Sequence, residues 1–113
     1  MQAYKWVALS TPVPGRERDL EHWYDTRHIP DCLALDGFVA AQRFRVEEQP
    51  QGIAVPAWKV MVVYDIESDD IEATLAQIQK VVRTPAMPIT DALDMSTALR
   101  VLATAASPRF EKQ

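Results

Sequence analysis

The chain holds one cysteine, three glycines and two histidines in 113 residues, and each scarcity excludes something. Cys32 alone cannot close an internal disulfide, which agrees with a reducing, cytoplasmic setting. Gly15, Gly37 and Gly52 are scattered, so no glycine-rich loop is present to cradle phosphates and no nucleotide cofactor is expected. His22 and His28 fall on different faces of one helical pattern, and Cys32 lacks a CxxC partner, so the spacing offers no metal site. A nucleophile elbow is also missing, which leaves a Ser-His-Asp triad without support. Basic side chains are outnumbered, 12 against 16, for a net charge of −4, so no basic stripe exists to neutralise nucleic-acid phosphates. No run is long and apolar enough to span a bilayer, and Met1 to Lys5 lack a signal peptide's apolar core, so no membrane partner is expected.

What remains is an ordinary globular composition, 48% hydrophobic, at a length that suits one domain over residues 1–113 with a loose tail at 108–113. Tyr4 to Ser10 alternates as a strand, and Pro12, Pro14 and Gly15 stop it. A helix follows from about Arg16, with Glu17 and Asp19 in its first turn. Pro30 is expected to kink or end it, leaving a short turn to Leu35. Phe38 to Val46 reads as a second strand, with Phe38, Ala40, Gln42 and Phe44 on one face and Val39, Ala41, Arg43 and Arg45 on the other. Glu47 to Pro56 reads as a polar loop, and Ala57 to Ile66 as the strongest strand. Ser68-Asp69-Asp70 can cap a helix whose stripe is Ile71, Leu75, Ile78 and Val82. Ala86 to Asp94 is irregular, and Thr97 to Ala106 is the last strand.

The order βαββαβ predicts an α+β, ferredoxin-like domain: a four-stranded antiparallel sheet with both helices on one face. The third strand is apolar on both faces at its centre, and two helices cover only one of them. A second copy packed sheet to sheet is the economical cover, which predicts a homodimer; loops folding over the open face are the alternative.

The richest segment is Trp23 to Asp31, which concentrates two aromatics, two carboxylates, an arginine and a histidine at the end of an amphipathic helix. Leu20, Tyr24 and His28 share the buried stripe. His28 is a candidate proton-transfer group, or else a histidine set against the helix dipole. Tyr24 is a candidate hydrogen-bond donor to a substrate oxygen, or else a core aromatic. Trp6, Trp23 and Tyr64 are candidate walls of an apolar ligand pocket, with core packing as the plainer role. Asp25 and Asp31 suit orienting His28 or Arg27, and Arg43 suits an anionic substrate or a structural ion pair.

Pro14-Gly15-Arg16-Glu17, Trp23-Tyr24-Asp25, His28-Ile29-Pro30-Asp31, Asp36-Gly37-Phe38, Arg43-Phe44 and Tyr64-Asp65-Ile66-Glu67 together resemble the EthD-like branch of the dimeric α/β-barrel superfamily. The resemblance spans essentially the whole chain. It implies the fold and dimer derived above and a ligand cleft between sheet and helices in each subunit. Related branches include cofactor-free monooxygenases, polyketide cyclases, muconolactone-type isomerases and dehydratases. The expectation is therefore a cofactor-independent isomerase, lyase or cyclase acting on a small apolar, aromatic or polyketide-like molecule. His28 and Tyr24 would be catalytic, and Trp6, Trp23, Tyr64, Arg43, Asp25 and Asp31 would bind substrate. A cofactor-free monooxygenase and a non-catalytic binding protein are the alternatives.

Overall fold

In a computed structural model that describes residues 1–49 and 57–113, the elements run in the expected order. Strand β1 (Gln2–Ser10) leads to helix α1 (Glu17–Trp23), a π-helical turn (Tyr24–His28) and helix α2 (Ile29–Leu33). Strands β2 (Phe38–Arg45) and β3 (Val60–Ser68), helix α3 (Ile71–Val81) and strand β4 (Leu99–Ala103) follow. The sheet is antiparallel in the order β2-β3-β1-β4, which is the ferredoxin-like arrangement. Residues 50–56 of the expected polar loop lie outside the described residues.

One sheet face is covered. Val60, Val62, Tyr64 and Ile66 of β3 are buried against Leu20, Tyr24 and Cys32 from the first helical stretch, with Ile71, Leu75 and Ile78 of α3 packed on the same core. Asp70 caps α3 by accepting from the Ala73 amide at 3.1 Å. Gln77 clamps that helix to the turn after α2, exchanging hydrogen bonds with the Asp36 amide and carbonyl. At that turn Gly37 has φ +87°, and a Cβ there would meet the Glu67 carbonyl oxygen at 3.0 Å.

Four sequence-based boundaries or faces differ from the structure. The helix does not end at Pro30; it continues to Leu33, and Ile29 keeps helical angles. The π turn explains this: the Ile29 amide reaches back five residues to the Tyr24 carbonyl. The widened turn gives the proline ring room where an ordinary α turn would clash. In β2, a bulge between Phe38 and Ala40 reverses the alternation. Phe38 and Ala41 both contact the core, while Val39 is exposed, so Val39 and Ala41 do not share a face. Strand β3 begins at Val60 because Trp58 turns aside, its indole donating to the Thr97 carbonyl at 2.6 Å. Strand β4 is shorter than expected because only Lys5 to Leu9 of β1 pair with it.

The opposite sheet face carries Val39 and Phe44 from β2 and Leu99 and Val101 from β4, all exposed. Val7, Leu9, Met61 and Val63, half-buried, lie between them.

Candidate functional site

Between the covered sheet face, the π turn and the chain leading from α3 to β4 lies a cavity of about 110 Å³. The sheet contributes Trp6 and Ala8 from β1, Tyr64 from β3 and Arg100 from β4. The helical stretch contributes Trp23, Tyr24 and His28. The remaining wall comes from Val82, Arg83, Ile89, Thr90, Leu93 and Met95.

That last wall is held in place from both sides. The Trp23 indole donates to the Pro88 carbonyl at 3.0 Å, and Arg27 donates to the Pro85 carbonyl at 3.1 Å. The Val13 amide bonds the Ala92 carbonyl, and the Asp94 amide bonds the Thr11 carbonyl. Met87 and Ala92 are fully buried anchors. Residues 86–94, irregular by sequence, are thus a fixed wall with buried contacts at each end.

His28 sits where the π turn hands over to α2. Its ring stacks on Trp23, with centroids 4.4 Å apart, and meets Tyr24 edge-on at 5.9 Å. Nε2 lies 3.8 Å from the Cys32 thiol, one helical turn on. Nδ1 is buried and has no hydrogen-bond partner among the described residues. Burial, reinforced by the charge of Arg100 and opposed by that of Asp31, lowers the His28 pKa to about 4. The imidazole is therefore neutral at physiological pH, below the near-neutral titration that an unperturbed histidine would show.

The two tyrosines differ in a way the sequence does not reveal. The Tyr24 hydroxyl is engaged by Ser10 Oγ at 2.8 Å. The Tyr64 hydroxyl is buried and, among the described residues, without a partner of normal geometry, although the Cys32 thiol is near enough to influence its titration. Burial raises the pKa of both phenols, and that of Tyr64 strongly, so each stays protonated and able to donate. Burial also pushes the Cys32 thiol up to about 11, which removes it as a nucleophile near neutral pH.

Of the residues expected from sequence, His28, Tyr24, Trp6, Trp23 and Tyr64 converge on the cavity. Arg43, Asp25 and Asp31 do not line it. Arg43 forms a two-pronged ion pair with Asp25, both contacts 2.8 Å, which raises the Arg43 pKa and lowers that of Asp25. Asp31 pairs with Arg27 at 3.5 Å and reaches His28 only through its charge. Arg83 and Arg100 are cavity residues that the sequence reading does not single out; no motif marks them. Among the described residues, no group of three or more His, Cys, Asp or Glu side chains could hold a metal ion, and no helix is long and apolar enough to cross a membrane.

No family model matches the chain, and no curated protein sequence matches it. Two solved structures are similar in fold. One is an ethyl tert-butyl ether D (EthD) family protein from Bacillus halodurans C-125, at TM-score 0.54 and 13% identity over 91% of this chain and 98% of the other. The second is described as a "putative monooxygenase" from Shewanella loihica PV-4, at TM-score 0.56 and 14% identity over 95% of this chain and 98% of the other. At such identities the likeness is one of fold alone.

Proposed function

We propose that the cavity is the active site of a cofactor-independent enzyme that moves a proton on a small, apolar, aromatic-sized compound. The observation that carries this reading is a buried imidazole whose Nδ1 has no partner among the described residues, in the same cavity wall as a buried phenolic hydroxyl with only the Cys32 thiol beside it. A buried polar atom without a partner is unfavourable by about 1–3 kcal/mol, so a ligand that supplies partners to both is favoured.

The chemistry follows from the two groups. A carbon acid beside a carbonyl loses its proton to the neutral His28 ring, which becomes imidazolium. The C–H electron pair moves into the carbonyl, and the enolate oxygen accepts a hydrogen bond from Tyr64. Return of the proton to a different carbon gives an isomer; loss of a group from the neighbouring carbon gives an elimination. Tyr24, held by Ser10, supports the ring of His28 rather than meeting the substrate. This shifts the hydroxyl role from Tyr24 to Tyr64.

A second reading shares the first step. The fold likeness to a protein described as a "putative monooxygenase" favours a cofactor-free oxygenase, in which the carbanion from the same deprotonation forms a C–O bond to dioxygen, and the peroxide takes back the proton and loses water to leave a carbonyl at that carbon. The two readings part on oxygen consumption.

A panel of aromatic ketones, phenols, lactones and quinones in heavy water tests the proposal, with wild type and His28→Gln in parallel and products followed by mass spectrometry and an oxygen electrode. Deuterium uptake or product formation by wild type, lost in a folded His28→Gln, supports it. Its kcat/KM is expected to rise through pH of about 4 and stay flat to neutrality, because the base works unprotonated. Ligands bound equally by both forms and changed by neither would show a binding protein instead.

We also propose that two copies pack through the exposed sheet face, since Val39, Phe44, Leu99 and Val101 form an apolar surface with no cover from the described residues.

A further inference from the structure

The cavity has an apolar body and a cationic mouth. Arg100 lies on β4 directly opposite Ala8 of β1, on the sheet face that also carries Trp6 and Tyr64. The small Ala8 side chain leaves the long arginine room to lean over the cavity. Arg100 lines the same cavity as Tyr24, His28 and Tyr64, and its charge acts on all three. Arg83, also exposed, lines the cavity just past the end of α3, with φ +68°. That left-handed position normally selects glycine or asparagine, so an arginine is held there against a backbone preference.

The Arg83 amide donates to the Met87 carbonyl at 2.9 Å, but neither arginine side chain has an ion-pair or hydrogen-bond partner among the described residues, and no carboxylate lines the cavity. The nearby acids are occupied elsewhere. Asp91 pairs with Arg16 at 3.0 Å, Asp94 bonds the Ser96 amide and hydroxyl, and Asp31 pairs with Arg27. The neutral imidazole of His28 adds no competing charge. Two cations and no anion around a half-enclosed apolar space form a receptor for a molecule with an apolar ring and one negative group.

The geometry points to a small aromatic anion as the ligand class, with a carboxylate or acidic enolate against Arg100 and its ring among Trp6, Trp23 and Leu93. The volume of about 110 Å³ limits the buried part to one ring at most, since a cavity of about 150 Å³ in another protein accommodates benzene. A larger ligand must extend past the two arginines. The inference rests on the proposed function only in taking this cavity as the ligand site.

Benzoate and its neutral isostere benzamide test it, by titration of the ¹⁵N-labelled chain at low salt with the Trp6 and Trp23 indole signals as readout. Benzoate is expected to bind at least about tenfold more tightly than benzamide, as a charge-assisted pair provides. Added sodium chloride should weaken benzoate and spare benzamide. Arg100→Gln should erase the preference, and Arg83→Gln should reduce it. Arg100 is exposed on an edge strand, so its substitution removes little packing; the salt titration on wild type needs no variant at all. Equal affinity for the two probes, a benzoate preference that survives Arg100→Gln, or indole signals unmoved by benzoate would each overturn the inference. Benzoate preference by a chain that exchanges no substrate proton would overturn the enzymatic reading alone, so the two fail separately.

Discussion

His28 is where sequence and environment pull hardest against each other. The unfolded chain binds a proton at this ring with an ordinary pKa of 6.5, and the folded chain only at about 4. Between those values the unfolded state holds more protons, so folding stability falls as pH drops from 6.5 towards 4 and is unaffected above 6.5. The ceiling on this loss is roughly 3 kcal/mol. Urea titrations at pH 7 and pH 4.5 should show the loss in wild type and a smaller one in His28→Gln. Cys32, fully buried and with a raised pKa, is expected to react with a thiol reagent only on unfolding; rapid labelling of the native chain would contradict the packing around it. At this scale the sequence reveals which side chains face inward, because Leu20, Tyr24 and His28 repeat at helical spacing. It does not reveal which tyrosine keeps a free hydroxyl. That depends on Ser10, at the end of a different strand, reaching Tyr24 and not Tyr64. Arg100 is hidden for a similar reason: its facing depends on a pairing register with β1 that no local pattern encodes.

At the scale of elements, hydrophobic periodicity identifies the four strands and the helical stretches, and two of the four corrections fall where one residue is inserted. The π turn adds a residue before Pro30, and the β2 bulge adds one after Phe38. Each shifts everything beyond it by one position. The bulge brings Arg43 onto the helix-covered face, where Asp25 meets it. Insertions of this kind escape periodicity because the pattern on either side stays regular. The π turn also sits beside the cavity, as such turns often do. Capping, by contrast, is legible: Asp70 precedes the apolar stripe of α3 and caps it. Asp70→Ala is expected to lower stability by about 1 kcal/mol, and Asp70→Asn to retain most of it, by chemical denaturation. An unchanged midpoint in Asp70→Ala would mean that Ser68 and Thr74 secure that end without it.

For the molecule as a whole, the decisive property is a sheet with one face covered and the other apolar and exposed. The third strand announces this, being apolar on both sides at its centre. If two copies join there, wild type should sediment as a dimer. Replacing Val101 and Leu99 with lysine should yield a folded monomer, since both side chains point away from the helices. A wild-type monomer at high protein concentration would argue that the exposed face stays open in solution. The substrate's identity is not written at this scale either; fold resemblance carries architecture and leaves the chemistry to the cavity.

Strand β4 carries one more consequence. It is only five residues long, and alternate side chains serve opposite faces of the sheet: Arg100 at the cavity, Leu99 and Val101 at the exposed face. If the cavity takes a ligand and two copies join through the open face, one short segment serves both events. By thermodynamic reciprocity, whatever factor a bound anion applies to the association constant, association applies to the anion's affinity. Apparent affinity then varies with protein concentration, and a dilution series measures the coupling directly.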